Sequence, residues 1–158
     1  MWEWFETVRR VGRPSKKEGK IIEFLIDFAR RHHIEYAKDA TGNVVMRKPA
    51  TPGYEDHPGV VLQSHMDMVC EKNSDVEFDF ERDAIRPRID GEWVRAERTT
   101  LGADCCIGMA AAPAVLIDPA VPHGPLEAPS TADEDAGLTE RFGLASGIVP
   151  GRPRIKPH

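Results

Sequence analysis

Apolar residues recur at three-residue steps at Trp2, Phe5 and Val8, which predicts a short amphipathic helix at the start of the chain. Pro14 breaks that pattern. Ser15 and Glu18 follow at capping-box spacing, where a serine oxygen accepts from the third helical amide and a glutamate reaches back. A second helix is therefore expected from about Lys16 to His32, with Ile21, Leu25, Phe28 and Ala29 as its apolar stripe. The pattern then becomes strand-like. Residues 35–38 and 44–47 flank Asp39–Asn43, a hairpin signal with a longer loop. Gly59 to Ser64 is a nearly unbroken apolar run, as in a strand covered on both faces. Asp90-Gly91 between Ile89 and Trp93-Val94 predicts a tight hairpin. Ile107 to Ile117 reads as an alanine-rich helix, with Pro113 as an interruption. Eight of the 13 prolines fall in residues 113–158. One of them, Pro129, cannot donate to a sheet ladder, so its strand is expected to be weakened or at an edge. From Ala145 no periodicity is visible, and Arg152, Arg154 and Lys156 stand without an acid. The reading is one α/β sandwich domain over 1–144 and a disordered basic tail over 145–158.

Composition narrows the function classes. The chain has 21 Lys+Arg against 26 Asp+Glu, a net charge of −5, which argues against nucleic acid as the main partner. With 41% hydrophobic and 30% charged residues it has the makings of a packed core. No apolar run approaches the ~20 residues of a membrane helix, so no membrane partner is expected. Trp2, Trp4 and Phe5 lie among acids rather than behind a basic segment, which does not read as a signal peptide. Three cysteines, two of them adjacent at Cys105-Cys106, make no disulfide framework and point to a reducing cytoplasm. The tryptophans and phenylalanines are expected in the core.

Three clusters carry candidate chemistry. His65 and Asp67 follow the buried strand two residues apart, so both side chains project to one side. Strand ends are where α/β folds place ligands. His65 is either a metal ligand with Asp67 holding its other ring nitrogen or a surface histidine beside an acid. Asp104 opens the alanine-rich helix, either as an N-cap or as a carboxylate bridging two cations, with Gly102 permitting close backbone approach. Asp133-Glu134-Asp135 is either a solvated acidic loop or a metal ligand next to a general base. Cys105 and Cys106 read as small hydrophobes. His32-His33 suit a helix C-terminus.

In this order, further stretches join those clusters: Pro14-Ser15-Lys16, Thr41-Gly42-Asn43-Val44, Gly59 to Val69, Ile89 to Val94, Thr99 to Asp104 and Thr131 to Leu138. Together they resemble the zinc-dependent aminoacyl-histidine (Xaa-His, or β-alanyl-histidine) dipeptidases of the aminoacylase/carboxypeptidase superfamily, over about residues 1–144. The resemblance implies a three-layer α/β sandwich of the zinc exopeptidase type, cytoplasmic, acting on dipeptides ending in histidine. It implies two Zn2+, replaceable by Co2+ or Mn2+. His65 would bind one, Asp135 the other, and Asp104 would bridge them. Asp67 would orient His65, and Glu134 would be the general base that deprotonates the bridging water.

The chain also departs from that family. Cys105-Cys106 stand where Asn-Gly is usual, and relatives run to several hundred residues with a lid or dimerisation domain, through which they form homodimers. The expectation is an N-terminal part of such an enzyme, lacking that domain and inactive alone. The rival reading is a non-catalytic α/β remnant or interaction module. A cysteine hydrolase built on Cys105 or Cys106 has no supporting spacing.

Overall fold

Residues 1–133 and the backbone of Arg154–Ile155 are described in the computed structural model of the chain. Helix α1 (Trp2–Val8) buries Phe5 and Val8 as its spacing predicts. Helix α2 (Gly19–Arg31) buries Ile21, Leu25, Ile26, Phe28 and Ala29. It starts later than expected, because the capping box does not form. No side chain caps it. The Ser15 hydroxyl donates instead to Asp67 Oδ2, and Glu18 Oε1 accepts from the amides of Lys16 and Asp133. Tertiary partners outcompete the local cap.

Strands β1 (Glu35–Lys38) and β2 (Val44–Lys48) form the expected antiparallel hairpin. The apolar run becomes β3 (Val60–Leu62) and β4 (Ser64–His65). Strands β5 (Pro87–Asp90) and β6 (Trp93–Ala96) pair around Gly91, whose φ of 62° suits the tight turn. Helix α3 (Ala103–Ile117) runs unbroken through Pro113. The proline forfeits one helical hydrogen bond, but its ring is buried within an almost wholly apolar helix, so tertiary packing holds the segment. Strand β7 (Leu126–Thr131) and the two-residue β8 (Arg154–Ile155) complete the elements.

The main sheet has the order β1-β2-β7-β3-β8, with β4 also on β7. β7 is antiparallel to β2 and parallel to β3 and β4, and β3 is parallel to β8. Pro129 therefore sits in a central strand, not at an edge. Its position explains why it is tolerated. The ladder between β7 and the β3–β4 run is broken between Val61↔Glu127 and Ser64↔Ser130, and Pro129 lies in that break.

Val44, Met46, Leu126 and Ala128 alternate on one sheet face and join a single cluster with Phe5, Val8, Leu25, Phe28, Met109 and Leu116. All three helices thus cover the same face. The tryptophans correct the expected core. Trp4 packs edge-on against Phe28, but Trp2 is 58% and Trp93 68% exposed. The β5–β6 hairpin is a separate two-stranded sheet, and Trp93 lies exposed on it.

The loop between β1 and β2 is organised by Asp39. Burial alone would raise its pKa. Hydrogen bonds from Thr41 and Asn43, through side chain and backbone, outweigh that and hold it below the ordinary carboxylate value. A folded pKa below the unfolded one contributes stability that is present above the unfolded value, ~3.9, and is lost as pH falls through the folded one. Asp39→Asn should therefore be less stable than the native chain at pH 7, with the difference shrinking below about pH 4. Urea unfolding of both proteins across that range measures it.

Candidate metal site

The carboxyl end of the β3–β4 run delivers His65, Met66 and Asp67 in succession. Met66 and Asp67 are buried, and His65 is half-buried. His65 Nδ1 lies 3.2 Å from Asp67 Oδ1, so the strand period does bring the two side chains together. A carboxylate has no proton to give, so the ring nitrogen is the donor. The Ser15 hydroxyl donates to the other oxygen, Asp67 Oδ2, at 2.7 Å. With the proton on Nδ1, it is Nε2 that presents a lone pair, the atom a cation would take.

Nε2 faces Asp104. Its distance to Asp104 Oδ2 is 3.5 Å. Two ligand atoms on a tetrahedral zinc, each ~2.0–2.1 Å from the ion, stand about 3.3 Å apart. The pair is thus spaced as two ligands of one cation would be. The Asp104 side chain is 66% exposed, so its second oxygen remains open to solvent. Asp104 is in the first turn of α3 and does not cap it. The N-cap is Gly102, in the left-handed region at φ 62°. A Cβ there would come within 2.9 Å of both Arg13 Nη2 and Met68 Cβ, so glycine is required on two counts. The helix N-terminus also favours the negative charge of Asp104.

A sulfur belongs to the same group: Cys105 Sγ, His65 and Asp104 offer donor atoms within 4.8 Å of one another. Cys105 is buried, and burial pushes its thiol up to about 12. Its sulfur accepts from Arg13 and donates to the Gly102 carbonyl, which ties it to the scaffold. Cys105 and Cys106 are both free and buried, as small hydrophobes are.

The structure brings together His65, Asp67 and Asp104. Glu134 and Asp135 lie outside the described residues, as does the expected boundary at 144/145. The chain does reach Asp133, whose amide donates to Glu18 Oε1. Just before it, the Ala132 amide donates to Asn43 Oδ1, and the Met66 amide donates to the Thr131 carbonyl. Four supporting residues were not singled out for the site by sequence. Arg13, Ser15, Glu18 and Asn43 act on partners 89, 52, 115 and 89 positions away, and no local pattern signals such contacts.

No family model matches the chain. It is 47% identical over 144 residues to the cytosol non-specific dipeptidase of Escherichia coli strain K12, a match covering 91% of this chain and 30% of that protein. Its fold matches the crystal structure of the aminoacylhistidine dipeptidase from Vibrio alginolyticus with a TM-score of 0.93 and 46% identity, over 97% of this chain and 31% of that one. A distant likeness is to a Bacillus subtilis dinuclear metal-binding peptidase from the M20 family. There the TM-score is 0.51 and identity 11%, over 85% of this chain and 35% of that one, which speaks for the fold alone. The chain thus spans about 30% of the length of the dipeptidase relatives it matches.

Proposed function

As the chain is similar to the cytosol non-specific dipeptidase and the aminoacylhistidine dipeptidase over about 30% of their length, we propose that it forms part of a metallodipeptidase catalytic unit and that His65 and Asp104 hold a divalent cation there. The observation that carries this reading is the Asp67–His65–Asp104 line. Asp67 fixes the tautomer and ring angle of His65, and Nε2 and Asp104 Oδ2 sit at ligand spacing. Asp104, with its exposed side chain, would also serve a second cation, for which Asp135 would be the further ligand. The metal is zinc, with cobalt or manganese as substitutes. Bound there, such cations polarise the peptide carbonyl. Glu134 accepts the proton of the attacking water. Parallel pairing of β4 with β7 supports these two roles, because the chain after Thr131 leaves the sheet at the edge where His65 stands. The substrate class is dipeptides, those ending in histidine among them. The buried thiols of Cys105 and Cys106 fit a reducing cytoplasm.

This assignment gives each cation two donors, one fewer than catalytic zinc commonly has. The 158-residue chain is therefore expected to bind Zn2+ through His65 yet hydrolyse β-alanyl-histidine slowly or not at all. Calorimetric zinc titration and a hydrolysis assay with added zinc test both halves. Zinc binding unaffected by His65→Ala would overturn the site. Brisk turnover abolished by Glu134→Gln would show that the donors suffice.

A further inference from the structure

We propose that Arg13 is a positioning residue for the metal pair: its guanidinium clamps the loop after β4 to the start of α3 and so sets the spacing between His65 and Asp104. The proposal rests on the functional reading above. Arg13 is 1% exposed. Nη1 donates to the Asp67 carbonyl at 3.3 Å and to Cys105 Sγ, and Nη2 donates to the Gly102 carbonyl at 3.2 Å. One planar group thus grips both segments that carry the cation donors, and a guanidinium fork is rigid enough to fix their separation. The same stretch holds the loop a second way. The Arg13 carbonyl accepts from the Met68 amide at 3.1 Å, and Ser15, two residues on, donates to the Asp67 carboxylate.

Burying a cation is costly without polar partners. Among the described residues, Arg13 makes no ion pair. Its partners are two carbonyls and a sulfur, all on the segments that bear the donor pair. Gly102 completes the clamp. Its lack of a side chain is what lets Nη2 reach the carbonyl, since a Cβ would stand 2.9 Å from that nitrogen.

The test compares Arg13→Met, Arg13→Lys and Gly102→Ala with the native chain. Zn2+ affinity is read by chelator competition, the His65 ring by 15N chemical shifts, and stability by thermal melting. Leu25→Ala, in the core under α2, serves as a control that lowers the melting temperature without touching the clamp. Arg13→Met should weaken Zn2+ binding by at least about tenfold and change the His65 nitrogen shifts. Arg13→Lys, which keeps the charge but not the fork, should restore part of both. Gly102→Ala should act like Arg13→Met and gives the answer if the latter does not fold. Leu25→Ala should leave affinity unchanged. Folded Arg13 and Gly102 variants with native affinity and native His65 shifts would overturn the clamp. If the native chain bound Zn2+ without any change at His65, the site reading itself would fall, and with it the clamp's purpose.

Discussion

Asp67→Ala should lower zinc affinity by roughly 10- to 100-fold, the usual loss when the partner behind a metal-binding histidine is removed. Asp67 is fully buried, with one oxygen on His65 Nδ1 and the other on the Ser15 hydroxyl. Without it the imidazole can rotate and can place its proton on Nε2, the nitrogen that faces Asp104. The substitution also strands the Ser15 hydroxyl, which adds a stability loss of about 1–3 kcal/mol. Asp67→Asn separates the two effects. Its amide preserves shape and can still accept from one neighbour, so stability should largely return. An NH2 turned towards Nδ1 would favour the opposite tautomer, so affinity should stay low. Chelator competition and urea unfolding on the three proteins give both quantities. Native affinity in Asp67→Ala would remove the orienting role.

Asn43→Ala should cost about 2–3 kcal/mol, unusual for so small a side chain in a loop. Asn43 is 1% exposed and joins two parts of the fold. Its Oδ1 accepts from the Ala132 amide at 3.0 Å, and its Nδ2 donates to Asp39 Oδ2 and Thr41 Oγ1, both at 2.9 Å. Alanine would leave a buried amide without an acceptor and loosen the Asp39 loop at once. Hydrogen exchange should show the Ala132 amide losing protection while amides within α2 keep theirs. A loss under about 0.5 kcal/mol would mean that the loop does not anchor the end of β7.

Local patterning made much of this fold legible. The apolar stripe of α2, the hairpin around Gly91 and the His-x-Asp pair after a buried strand are all decided by neighbours within a few residues, and all three stand as read. Ser15, Pro129 and Trp93 were misjudged for a shared reason. Ser15 has the spacing of a cap, yet its hydroxyl is held by the buried Asp67 carboxylate, 52 positions away, to which it donates a charge-assisted hydrogen bond. Pro129 has the chemistry of an edge residue, yet a gap in the neighbouring ladder admits it to the sheet centre. Trp93 has the size of a core residue, yet its hairpin stands apart from the main sheet. Arg13 was invisible because its value lies in two carbonyls that only the folded chain brings within reach. Asp104 was read between two roles. Its position in the first turn of α3, one residue past Ala103 and beyond the Gly102 cap, removes the cap reading, and its Oδ2 faces Nε2 of His65.

In the proposed site His65 carries its proton on Nδ1 and turns Nε2 towards a cation shared with Asp104. The most direct measurement is a 15N long-range correlation spectrum of the histidine rings at about pH 8, where an ordinary histidine is neutral, before and after Zn2+. The six histidines are told apart by the signal that His65→Gln removes. Without metal the expected spectrum shows the proton on Nδ1 and none on Nε2, then a shift of Nε2 on adding zinc that Asp104→Asn suppresses. A proton resident on Nε2, or a His65 ring that zinc leaves unmoved while other histidines respond, would contradict it.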